Sequence, residues 1–188
     1  MLFLEIGVLS VLVALIRRGQ IFRLADLEIR RIWLVTVPVA VILASIIFRR
    51  TTPPEIWQPV TGALHLVTSA ALFALFWSNR KLPGIKWLLA GWLLNFAPIL
   101  TNGGRMPVSK WAVKIAYGSG QEGRMLQHIW MSSQTKFNFL GDFIPLPTPL
   151  VAIPEVVSPG DILMAVGLFL LIQLTMCPRK KKASESKG

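Results

Sequence analysis

The sequence predicts an all-α integral membrane protein: a helical bundle of about five transmembrane helices, with an ordered extracytoplasmic segment between the last two. Three observations predict it. The chain of 188 residues is 53% hydrophobic and only 15% charged, whereas a soluble domain carries about a quarter charged residues. Its apolar residues gather in runs of near-bilayer length, flanked by Lys and Arg. Between Leu100 and Ile162 that pattern gives way to Gly- and Pro-rich motifs and then resumes.

Each run justifies one span. Residues 1–16 are apolar but short and contain Glu5; no basic residue precedes them and no small-residue cleavage site is evident, so they read as a retained span and not a signal peptide. An interfacial position for this run is the alternative, giving four spans. Residues 32–48 form the second span, with Pro38 expected to bend it. Residues 56–77 are the clearest span, and 83–100 qualify if Lys86 snorkels to the interface. Residues 162–177 are the last. Together 1–178 make a single transmembrane domain with an outer segment over 101–160, and 179–188 make a basic, cytoplasmic tail. The connection Arg17–Arg31 reads as a basic turn, or as a short helix on anionic headgroups.

Charge orients the bundle. One side carries Arg17, Arg18, Arg23, Arg30, Arg31, Arg80, Lys81, Lys86 and the basic tail; the other has Arg49 and Arg50 and then bases spread thinly over the long segment. The positive-inside rule places the N-terminus outside and the C-terminus in the cytoplasm. The net charge of +11 is therefore assigned to membrane flanks, and no nucleic acid is expected as partner. The lone cysteine, Cys177, excludes an internal disulfide.

The interruption is read residue by residue. Asn102-Gly103-Gly104 follows a span and suits a helix stop; the alternative is an anion cradle of backbone N–H groups assisted by Arg105. Pro107-Val108-Ser109 is expected to open a short surface helix capped by Ser109, with Trp111, Ala112 and Ile115 on one face and Lys110 and Lys114 elsewhere. Residues 117–123 read as a flexible connection, and 124–139 as a second surface helix or a piece folded into the bundle mouth. Pro145, Pro147, Pro149 and Pro154 exclude regular helix over 140–154, so that stretch must pack on protein or lie extended. Asp142 is a turn-forming residue in the bland reading and a carboxylate in the bundle mouth in the functional one. Ser158-Pro159-Gly160-Asp161 has the grammar of a helix start, with Ser158 as N-cap and Asp161 three residues on. Within the spans, Glu5, His65 and Asn95 are the polar groups; each has a bland role in reaching headgroups or bonding neighbouring helices. There is no metal-ligand spacing, haem motif or nucleophile elbow, so neither metal nor cofactor is expected.

The ordered set Asn102-Gly103-Gly104-x-Met106-Pro107-Val108, Thr135-Lys136, Leu140-x-Asp142-x-Ile144-Pro145-x-Pro147 and Ser158-x-Gly160-Asp161-Ile162-Leu163 resembles a family of small bacterial multi-pass membrane proteins, domain of unknown function 5317. The resemblance implies a bacterial inner-membrane protein and supplies no activity.

Three roles follow. The first is a non-catalytic accessory or scaffold component of a membrane complex, with partner subunits beside the lipid bilayer. The second is a binder or carrier of an anionic lipid or small solute, using Asn102, Gly103, Gly104, Arg105 and Asp142, with Lys110, Lys114, Arg124 and Lys136 nearby. The third is a membrane enzyme using Asp142, with Asp161 and His128 as acid/base partners. The reading leans away from catalysis.

Overall fold

The structure, a computed structural model, describes residues 1–118 and 128–178. It is mainly helical: α1 (Leu2–Ile16), α2 (Thr36–Thr51), α3 (Pro54–Ser78), α4 (Ile85–Thr101), α5 (Lys110–Tyr117) and α6 (Pro159–Met176). Among the described residues two helices are long and apolar enough to cross a membrane, α6 and the Val60–Ser78 part of α3, and only 33% and 22% of these windows are buried. A core helix of a soluble protein would be mostly buried. Here Val67, Phe73, Val166 and Leu174 face outward, which suits a lipid solvent. The expectation of five full-length spans is met by these two alone. Leu2–Ile16, Ile32–Ile47 and Ile85–Thr101 are apolar but shorter, and α1 rises only about 22 Å.

The helices pack as a row, α1–α6–α4–α3–α2. Glycine permits the closest approach, between α4 and α6. A Cβ on Gly91 would lie 2.4 Å from the Gly160 carbonyl oxygen, and one on Gly84 would lie 2.2 Å from that of Gly167. Small residues let helix backbones meet where lipid gives no hydrophobic drive. The first and last helices meet through polar groups: buried Gln173 donates to the Ser10 carbonyl oxygen, the Ser10 hydroxyl donates to Phe169 O at 3.2 Å, and Arg17 donates to Gln173 at 2.8 Å.

Several local expectations are corrected. Pro38 falls in the first turn of α2, where its missing N–H costs little, so it does not bend mid-helix. Of the two readings of residues 17–31 the structure has the turn and not the surface α-helix: a 3-10 turn, Ile21–Leu24, joined by further turns. The segment after α4 is not all-α. Met106–Val108 forms β1, parallel to β2 (His128–Trp130), and Ile144–Leu146 forms β3, antiparallel to β4 (Glu155–Val157). Thus Pro107-Val108 is strand, and helix begins only after Ser109, whose hydroxyl accepts from the Ala112 N–H at 3.4 Å. On α5, Ala112 and Ala116 are buried while Trp111 and Ile115 are exposed, so Trp111, Ala112 and Ile115 do not share one environment. Residues 128–130 are strand and not helix; the glycine-rich connection over 119–123 and the basic Arg124 lie outside the described residues. So does the tail from residue 179 onward.

Strands this short show no periodicity in sequence; they exist because proline-rich backbone must find partners at the bundle end. Two carboxylates bind α1 to this segment: Glu155 accepts from the Leu2 N–H and pairs with the Met1 amine at 2.8 Å, and Glu5 accepts from Ala152 N–H at 3.1 Å. At the opposite end Asn79 locks Arg30, bonding both its N–H (2.8 Å) and its carbonyl (2.9 Å). The bundle therefore has a strand-bearing end and a basic end.

Candidate functional site

Beneath the strand-bearing segment lies a cavity of about 500 Å³. Among the described residues its polar side chains converge from seven places in the chain: His65 on α3, Asn95 on α4, Tyr117 on α5, His128 on β2, Asp142, Glu155 on β4 and Asp161 on α6. Its apolar lining includes Leu2, Ile99, Met106, Val108 and Val157.

Each polar group is held by local chemistry. Asp142 bridges β1 in parallel fashion: its N–H donates to Pro107 O and its carbonyl accepts from Ser109 N–H, both at 2.8 Å. That fixes the backbone, and the side chain, 5% exposed, meets His128 Nε2 at 3.1 Å. Burial pushes the Asp142 carboxyl above its ordinary value of 3.8; the hydrogen bond and charge of His128 draw it back, while Asp161 and Glu155 reinforce the rise by like charge.

At the start of α6 a capping box is complete. Ser158 Oγ accepts from Asp161 N–H at 2.9 Å, and Asp161 accepts from Ser158 N–H at 3.0 Å. Asn95 joins it across helices, donating to Asp161 at 2.7 Å and accepting from the Ser158 hydroxyl at 2.7 Å. His65 Nδ1 lies 2.9 Å from Gly104 O. The polar side chains of the helices thus tie the bundle to its cap.

Of the residues proposed for binding, only Asp142 lines the cavity. Asn102 clamps the Lys136 backbone from both sides, at 2.9 Å each, and also donates to Pro98 O. Gly103 and Gly104 take positive φ, 66° and 80°, and the Gly104 N–H returns to Ile99 O at 2.9 Å, closing α4. This turn sits on Gly62 of α3, where a Cβ on Gly104 would lie 2.2 Å from the Gly62 carbonyl oxygen. Arg105 is half-buried beside the turn and is not a lining residue; Lys110 lies over the Trp130 ring at 5.5 Å. Glu155 escaped the sequence reading altogether, and the only hint was a lone acid within an apolar, proline-bounded stretch. Among the described residues no group of three His, Cys, Asp or Glu side chains is placed to hold a metal ion.

The family described as a family of unknown function, DUF5317, matches residues 26–173, which include the seven polar lining residues above. An uncharacterized protein of Thermotoga maritima is 30% identical over 118 residues, 63% of this chain and 66% of that protein, so the chain spans just under two thirds of this relative. No solved structure matches the chain. With a match from Asp26 to Gln173, well over half of its length, the chain belongs to the DUF5317 family.

Proposed function

We propose that this protein is a non-catalytic, five-span component of the bacterial inner membrane whose outer cavity binds a small cationic ligand. The N-terminus and the strand-bearing end face outward in this reading, and the basic end faces the cytoplasm, because Arg17, Arg18, Arg30, Arg31 and Arg80 gather there. Three shorter helices complete the count, spanning with local bilayer thinning.

The carrying observation is the sign of the cavity. Asp142, Glu155 and Asp161 all line it, and among the described residues no Lys or Arg does. Its one amine, at Met1, is already paired with Glu155. Clustered carboxylates in a low-dielectric cleft select a cation. The arrangement thus favours a cationic over an anionic ligand at this cavity, and Arg105, Lys110, Lys114 and Lys136 are left for headgroup contacts around the rim.

The test uses the full chain in lipid nanodiscs. Butylammonium is expected to bind and butyrate is not, and Asp142→Asn should weaken butylammonium at least about tenfold. Binding of butyrate in preference to butylammonium overturns the proposal. A catalytic role is the second reading, favoured by the 3.1 Å His128–Asp142 contact. A His128→Gln protein that binds normally yet fails to complement a deletion strain supports it. Partner subunits are expected to co-purify in mild detergent; a lone monomer on sizing counts against an accessory role.

A further inference from the structure

A second, wholly apolar groove of about 340 Å³ lies between α1 and α6. It shares two wall residues, Leu2 and Val157, with the acidic cavity. From there it runs down α6 past Ile162, Val166 and Phe169, facing Ile6 of α1. Ile162 to Leu170 spans about 12 Å of helix rise. Ile162 and Val166 are 44% and 42% exposed, so the groove opens sideways on the outer face of the bundle.

We propose that cavity and groove are one site for a single-chain amphiphile with a protonated amine at its polar end, which rests on the cationic reading of the cavity. The two compartments differ completely in character and share one wall, where Leu2 and Val157 pack with Ala165; a ligand that occupies both parts these side chains. A hydrophilic cation leaves the groove unfilled. A neutral or anionic lipid fills the groove but brings no positive charge to Asp142 and Asp161, whereas Glu155 already has the Met1 amine. An alkylammonium satisfies both: the ammonium lies among the carboxylates and the tail lies between α1 and α6. Such a ligand is already dissolved in lipid, and the lateral opening lets it enter from the bilayer without passing through water.

The experiment uses the full chain in nanodiscs with a dodecylamine carrying a diazirine at the tail end, followed by peptide mapping of the photoproducts. Labelling is expected on α1 near Ile6 and on α6 near Val166, displaced by dodecylamine and not by dodecyl phosphate. Val166→Trp and Ile162→Trp, which fill the groove from its open side, should each cut labelling by ~5-fold or more. Both variants should still bind butylammonium, which reports an intact cavity. Labelling insensitive to both tryptophans, or displaced by dodecyl phosphate, overturns the tail site and leaves the cationic cavity standing. Failure of the unaltered protein to bind butylammonium overturns the cavity reading and this proposal with it.

Discussion

Ser158 and Asp142 show how differently two polar residues serve the same cavity. Ser158 is fully buried; its hydroxyl accepts from Asp161 N–H and donates to Asn95. Ser158→Ala removes both bonds, so it should cost more than the ~1 kcal/mol of a lone N-cap, measured by thermal unfolding in detergent. Serine at this place was legible in sequence, because a capping box is written in four adjacent residues. Asp142 was legible only as a carboxylate near a bundle mouth. Its partner His128 is separated from it by a turn and a 3-10 helix, and they meet only because β1 pairs with both β2 and Asp142. Glu155, likewise, acts on residues at the far end of the chain, and no local pattern announces that. The raised Asp142 carboxyl carries a sign. Between its ordinary value of 3.8 and its raised value, the folded state binds more protons than the unfolded state, so stability falls as pH rises through that window. Asp142→Asn should flatten this part of a plot of thermal midpoint against pH; an unchanged slope shows that another group sets it.

At the scale of elements, the helices followed their apolar runs, and their ends were set by caps and prolines that the sequence displays. The short strands were not foreseeable, since three residues show no alternation and two of the strands contain proline. The α4–α6 crossing did leave a trace: Gly84 and Gly91 on one helix segment and Gly160 and Gly167 on the other repeat at the same interval. Gly91→Leu should destabilise the bundle by about 1–3 kcal/mol, because the nearest atoms include the backbone of Gly160 and Met164, which cannot swing aside. Gly7→Ala is the control. Nothing lies within 4 Å of its Cβ on α1, so it should be neutral or stabilise by about 0.5–1 kcal/mol. Equal losses for the two variants would show that the crossing is looser than its backbone distances imply.

For the whole molecule, the row of helices predicts sidedness. In a Cys177→Ser background, Phe139→Cys should react with a membrane-impermeant maleimide in intact cells, and Arg80→Cys only after permeabilisation; the reverse pattern inverts the proposed orientation. The row also has a consequence for how the protein is made. Among the described residues, the side-chain hydrogen bonds of its first helix reach the last part of the chain: Glu5 with Ala152, and Ser10 with Gln173, 163 residues away. During synthesis α1 must therefore wait, with Ser10 lacking its partners Phe169 and Gln173, until α6 emerges. Only then does a wall of the acidic cavity exist. A chain cut short within α6 has nearly all the residues of the cavity and none of its shape, so the proposed cation binding should be lost with such a truncation and would report completed assembly.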